Sequence, residues 1–516
     1  MYRTVQTAAR FFLVILFPIA TWAQIGLPDI FSDHMVLQRH LPIPVWGTAP
    51  AGSEVAVRFN EFEINALSDK DGKWEVTLAA MAEGGPYQMS ISGNGETIVL
   101  KDILVGEVWL CSGQSNMEWP LKNCTEGELE IPNASQPAIR FFHLRKKHNT
   151  YSTPYTSEQL VEFTKGHFFY PANWEPCTPE TAAEFSGVAY FFGKELSESL
   201  KVPIGLIQNA VGGSPAQSWA SRSALASHPQ LQSLVDFSGN KTWLDSEIIH
   251  PWLAERAKQN WGDLGNKGDA PLPGHPFSPG YLFDFALQPL APYAIRGAIW
   301  YQGESNATHP ASYFAIMDML LKSWRSLWGQ GDFPFYFVQL PKIGNRNLWP
   351  EFREAQEKCL AIPNTGMAVA IDSGHPTDVH PKEKKVIGLR LARLALLKAY
   401  SKKIAAESPG LSSSEWRTDG KEVVLYFNNT YDGLTVKGQE TPLGFTLQGY
   451  TENGSLETIL KPEKIIIEGE KIKLFLPDGF LPVRVKYAWA PNPDNNVVNS
   501  AGLPLAPFNL MLNGNN

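Results

Sequence analysis

Cysteine is scarce in this chain of 516 residues, with only Cys111, Cys124, Cys177 and Cys359. So few cannot staple a chain of this size, which argues against a disulfide-built fold. Cys111 falls in an apolar run that reads as a core strand and Cys359 in a stretch that reads as helix, so both suit buried free thiols. A Cys124–Cys177 pair stays open at this point. Positive charge is also in deficit: 44 Lys and Arg against 52 Asp and Glu give a formal net charge of -8. Without a basic run, nucleic acid and anionic lipid are poor partners. Long apolar runs are missing after residue 23, which leaves no expected membrane span. Before it, Arg3 and Arg10 precede an apolar stretch over residues 11–20, followed by the small Thr21 and Ala23. These are the marks of a signal peptide over 1–23, so the mature chain is expected to be secreted or periplasmic.

Three regions follow. Residues 24–103 alternate apolar and polar in short runs, as in Glu54-Val55-Ala56-Val57-Arg58-Phe59, and read as a small β-sandwich-like domain. Residues 104–405 alternate apolar strands (105–111, 202–210, 295–302, 333–340, 367–372) with helical stretches (185–200, 311–328, 349–360, 382–400). Near-continuous apolar strands are expected where both faces of a parallel sheet are covered. Residues 406–516 return to strands and read as a C-terminal β region. Two stretches, 120–184 and 221–281, are too long for ordinary connections and read as loop insertions that shape access to a site.

In an open parallel sheet, ligands bind beyond the carboxyl ends of the strands. The first strand here runs into Ser112-Gly113-Gln114-Ser115-Asn116-Met117. The second ends in Asn209-Ala210-Val211-Gly212-Gly213-Ser214, and the third in Trp300-Tyr301-Gln302-Gly303-Glu304-Ser305-Asn306. The fifth ends at Asp372 and leads into Asp378-Val379-His380-Pro381. A nucleophile, backbone and amide donors, and an acid–base pair therefore gather on one predicted edge.

These blocks together resemble the SGNH hydrolases, and within them the sialate O-acetylesterase family of carbohydrate esterases. Gly113-Gln114-Ser115-Asn116-Met117 is similar to the family's nucleophile block, the run 202–207 into Gly212-Gly213 to its glycine block, Trp300 to Asn306 to its third and Asp378-Val379-His380-Pro381 to its last. Residues 30–39 and the tail Tyr487-Ala488-Trp489-Ala490-Pro491 resemble bacterial members. The resemblance implies an SGNH-type three-layer α/β/α domain with a parallel sheet, flanked by the two β regions. It also implies a serine esterase releasing acetate from carbohydrate, O-acetylated sialic acid first, with acetylated xylan as the alternative. A glycan-binding protein with a vestigial site is the alternative from another class.

Under that resemblance Ser115 is the nucleophile, His380 the base and Asp378 the acid. Oxyanion donors come from Ser115, from Gly212 or Gly213, and from Gln302 or Asn306. Only one residue separates Asp378 from His380 where the superfamily commonly has two, so Glu304 and Asp372 stand as substitute acids. Ser-His-Asp chemistry requires no metal or organic cofactor. Although His375 and His380 lie near Asp372 and Asp378, their spacing is not a recognised ligand pattern. The insertion aromatics Trp174, Trp219, Trp243, Trp252 and Trp261 either stack on sugar or hold the loops together.

Overall fold

The computed structural model describes residues 24–236, 242–263, 272–417, 421–438, 440–451 and 456–512. The signal peptide expected over 1–23 lies outside them. The run 105–111 forms the second half of an 18-residue strand, Glu96–Gly113. Residues 96–99 of that strand are only partly covered, whereas everything from Ile103 to Gly113 is buried. That change is the signature of a strand that leaves a one-sided sheet and enters a two-sided one. It also carries the proposed boundary at 103/104 inside a single element.

Parallel strands flank the buried half. Ile204–Ala210 and then Gln136–His143 lie to one side, with Trp174–Cys177 antiparallel at the edge. On the other side come Gly297–Tyr301, Phe335–Val338 and Thr365–Ala368. Ala210 and Tyr301 both pair with Gly113, so the three central strands end level. Helices cover both faces. Trp109 meets Tyr336 of strand Phe335–Val338, Phe192 of helix Gly187–Leu200 and Tyr400 beyond helix Lys384–Lys398. Trp300 and Phe335 meet Trp324 of helix Pro310–Trp328 on the opposite face.

The stretch 120–184 is more than a loop insertion. It supplies the strands Gln136–His143 and Trp174–Cys177 and the helix Ser157–Thr164. Arg140, in the middle of the first strand, broke its apolar pattern. In the structure that guanidinium turns to Asp102 at 2.9 Å. All four cysteines are buried and free, so no Cys124–Cys177 bridge forms; the Cys177 thiol instead donates to the Ala134 carbonyl.

N-terminal strands Glu54–Phe59, Phe62–Leu67 and Gly84–Gly93 join the exposed half of Glu96–Gly113 in antiparallel fashion. The C-terminal region forms two four-stranded sheets and a short two-stranded one. Both segments that resembled bacterial members are docking points. Gln38 accepts the Val108 N–H at 2.8 Å, and Arg39 and Arg296 clasp the buried Glu107 at 2.5 and 2.8 Å. Burial alone would push the Glu107 carboxyl up, but the bonds from Arg296 and Arg39 overcome it and hold it below the usual range.

At the other end Arg353 is wholly buried and donates to the carbonyls of Leu340, Pro341, Ala490 and Pro491 at 2.8–3.0 Å. With no carboxylate among these partners, burial pulls its guanidinium down to about 9. Arg353→Met leaves those acceptors unpaired and is expected to cost ~3 kcal/mol of stability. Urea unfolding of the two proteins checks this, and coincident midpoints would refute it.

Candidate active site

The first strand stops at Gly113, whose φ is +140°. A Cβ there would lie 2.2 Å from the Tyr301 carbonyl oxygen, so only glycine lets the neighbouring strand approach. The chain then enters the short helix Ser115–Glu118, with Ser115 as its first residue. First-turn N–H groups have no partner inside a helix. The N–H groups of Ser115 and Gly213 donate to nothing among the described residues.

His380 comes from the loop after Thr365–Ala368, and its Nε2 lies 2.9 Å from Ser115 Oγ. Two residues separated by 264 intervening positions, from different strand ends, thus meet at hydrogen-bond distance. The imidazole stacks on Trp119 with centroids 5.0 Å apart and planes 19° from parallel. Burial first, and the Lys384 charge second, lower its affinity for a proton, while Asp378 and Glu118 oppose them without prevailing. A histidine held neutral is a ready base. Asp378 is the one carboxylate that ion-pairs with His380 among the described residues, with Oδ1 3.6 Å from Nδ1. That oxygen also accepts the His380 backbone N–H at 2.8 Å, which fixes the short Asp-x-His turn.

Two substitute acids are placed elsewhere. Asp372 lies in a turn four residues beyond the strand Thr365–Ala368, which ends earlier than the expected 367–372, and is clamped there by both terminal nitrogens of Arg390 at 2.7 Å. Glu304 accepts the Asn116 side-chain amide, and its second oxygen is buried without a partner among the described residues. Burial raises its carboxyl above the usual range.

Both amide side chains expected in the oxyanion hole are also committed elsewhere. Gln302 Nε2 donates to Asn306 Oδ1 at 2.7 Å and to the Ser214 carbonyl at 3.3 Å. Asn306 Nδ2 donates to Gln217 at 2.9 Å, and its oxygen also accepts the Ala216 N–H. The pair forms a buried polar core beneath the glycine turn. Asn306-Ala307-Thr308 has the form of a glycosylation sequon, and the burial of Asn306 keeps a glycan from it. Of the two glycines, Gly212 gives its N–H to Glu118 Oε2 at 2.9 Å. That leaves Gly213 as the free donor on the turn.

Three further residues, Asn116, Glu118 and Lys384, belong to the site without standing out in the chain pattern. Asn116 donates to Glu304 Oε1 and to the Val379 carbonyl and accepts from Lys384 Nζ, tying three strand ends together. Burial pulls the Lys384 ammonium down to about 8. Glu118 pairs with Lys146 at 2.6 Å while holding the Gly212 N–H. Their one sequence signal was proximity to Ser115 and His380, since Glu118 lies one helical turn after the serine.

Above these groups opens a cavity of about 1050 Å³ whose walls include Ser115, Gly213, His380, Trp119, Trp252 and Arg256. Four of the five insertion tryptophans noted above, Trp174, Trp219, Trp243 and Trp261, are buried and hold the loops together. Trp252 is 38% exposed and lines the cavity.

Comparison with known proteins gives the family. Residues 105–235 and 284–396 match the family described as carbohydrate esterase, sialic acid-specific acetylesterase. A crystal structure of a carbohydrate acetylesterase from Xanthomonas citri is 31% identical, covers 94% of this chain and 99% of its own, and superposes with a TM-score of 0.75. The chain belongs to the sialic acid-specific acetylesterase family of carbohydrate esterases. As such it is a carboxylic ester hydrolase. The sialate O-acetylesterases of Rattus norvegicus and Homo sapiens are 27% and 26% identical, each over 76% of this chain and 77% and 75% of their own length. The two segments matched to the family hold every strand end described above. The stretch between them, 236–283, carries the Trp252 wall of this esterase.

Proposed function

We propose that this protein is a secreted or periplasmic SGNH-type serine esterase that removes O-acetyl groups from carbohydrate by a Ser115–His380–Asp378 mechanism, with O-acetylated sialic acid as its first substrate. The observation that carries the proposal is the 2.9 Å approach of Ser115 Oγ to His380 Nε2 beside two free N–H donors. With Nε2 accepting from the serine, the imidazole proton sits on Nδ1, toward Asp378.

His380 takes the Ser115 hydroxyl proton as Oγ bonds to the acetyl carbon. The tetrahedral oxyanion faces the N–H groups of Ser115 and Gly213. His380 then gives its proton to the sugar oxygen as the ester bond breaks. Water, deprotonated by the same imidazole, attacks the acetyl-serine, and acetate leaves as the proton returns to Ser115. Acetate release from O-acetylated sialic acids, measured beside acetylated xylan, tests the substrate. Turnover of xylan alone would overturn the sialate assignment.

Asp378 is 49% exposed on its side chain and stands at 3.6 Å, so solvent shares its work. Asp378→Asn is therefore expected to lower kcat by only ~10²-fold, less than a buried triad acid would. A fall comparable to loss of the serine would show that the contact closes when substrate binds. The lowered proton affinity of His380 predicts that activity persists into acid, with the acidic limb of kcat/KM below the ordinary histidine range near ~6.5. Lys384→Met removes the repelling charge, so that limb should move to higher pH; a shift to lower pH would refute the account.

A further inference from the structure

We infer that Arg256 is the carboxylate-reading residue of this site: it selects acetylated sugars that carry an acid group. The inference rests on the proposed esterase reading and deepens it. Helix Pro251–Trp261 lies in the stretch between the two family-matched segments. Trp252 and Arg256 are four residues apart on it, hence on one face. The Arg256 guanidinium carbon stands 5.0 Å over the Trp252 ring. The Trp252 ring in turn covers the glycine turn, since a Cβ built on Gly213 would lie 3.0 Å from its Cη2.

A second route fixes the same guanidinium to the same turn. Arg256 Nη1 donates to the Thr150 carbonyl at 2.7 Å, and Thr150 Oγ1 donates to the Gly212 carbonyl at 3.1 Å. Nε is held by Gln259 at 3.2 Å. Nη2 makes no hydrogen bond, and Arg256 makes no ion pair, among the described residues.

The other cations of the cavity wall differ in ways that matter. Lys146 is neutralised by Glu118, and Arg145 faces Glu175 at 3.4 Å. Arg346 is unpaired among the described residues but exposed and unheld. A half-buried, stacked, doubly anchored guanidinium with a free edge is pre-organised for a planar carboxylate, so little side-chain freedom is lost on binding. In a chain of net charge -8 it offers an anion a local partner on the cavity wall that also holds Ser115.

The test compares O-acetylated sialic acid with its carboxylate methyl ester, which removes the charge and keeps the acetyl group. Charge-assisted hydrogen bonds predict that the native protein prefers the acid by about tenfold to hundredfold in kcat/KM. Arg256→Gln should bring the acid-to-ester ratio close to one, and Arg256→Lys should restore part of it. The ratio is independent of how much of each sample is folded. Equal turnover of acid and ester by the native protein, or an unchanged ratio in Arg256→Gln, would overturn the assignment alone. A ratio lost in Arg346→Gln instead would overturn it in favour of the rim arginine. Release of acetate from xylan with none from either sialate would overturn the sialate reading itself, and this assignment with it.

Discussion

Replacing Ser115 by alanine is expected to reduce acetate release by ~10⁴-fold or more while leaving the unfolding free energy within ~1 kcal/mol of the parent. In the proposed mechanism the serine oxygen forms the acyl bond, and among the described residues no other side chain hydrogen-bonds to His380 Nε2. Its structural work is slight, because among the described residues Oγ bonds only to His380 Nε2. His380→Ala should cost about as much, and the double variant little more than either alone. Residues that act as one unit are not additive. Chromogenic acetate hydrolysis by the three variants checks the pattern. Independent, multiplying losses would mean that the 2.9 Å contact is incidental and that the protein works by another nucleophile.

The residues most legible in the sequence were those whose role follows from chain position. A buried parallel strand reads as an unbroken apolar run, and its end points to the site. Ser115 and His380 were thereby placed on one edge, and they meet there. The same logic separated the helices Gly187–Leu200 and Pro310–Trp328 to within two residues of their observed starts. What stayed hidden depends on partners that no local pattern encodes. Gln302 and Asn306 have the right chemistry for an oxyanion hole, yet Gln302 donates to Asn306 and Asn306 to Gln217 underneath it. Asp372 reads in the sequence as a strand-end acid, but it lies in a turn beyond Ala368 and Arg390, 18 positions on, neutralises it. The strand Gln136–His143 was lost because Arg140 interrupts its apolar run, and only the contact with Asp102 explains that residue.

Trp252 shows the same limit from the other side. Five insertion tryptophans were indistinguishable by composition, and burial alone picks the one that can meet a substrate. Its partner Arg256 carries no sequence signal beyond a four-residue spacing on a helix. The catalytic edge therefore follows from the alternating strand pattern, whereas the substrate wall is assembled by packing between distant segments.

Gly213→Val is expected to lower kcat by ~10³-fold with a smaller change in KM. Three observations set the size of the effect. Gly213 has φ +78°, which a β-branched residue adopts only with strain. A Cβ there would stand 2.9 Å from Phe277 and 3.0 Å from Trp252, so the turn must shift to admit any side chain. Its N–H is one of the two donors left without a partner among the described residues that the proposed mechanism turns on the oxyanion, and a donor moved off line is lost only in the transition state, where it counts toward kcat.

Gly212 is the control on the same turn. Its N–H is already bound to Glu118, so Glu118→Gln, which keeps an acceptor oxygen at that point, should cost far less than the Gly213 change. A transition-state mimic that presents a tetrahedral anion to Ser115 should likewise lose affinity for Gly213→Val in proportion to kcat. If that variant kept full kcat, or lost affinity for the acetylated sugar and the anionic mimic alike, the turn would be a packing element and the oxyanion would have to be held elsewhere.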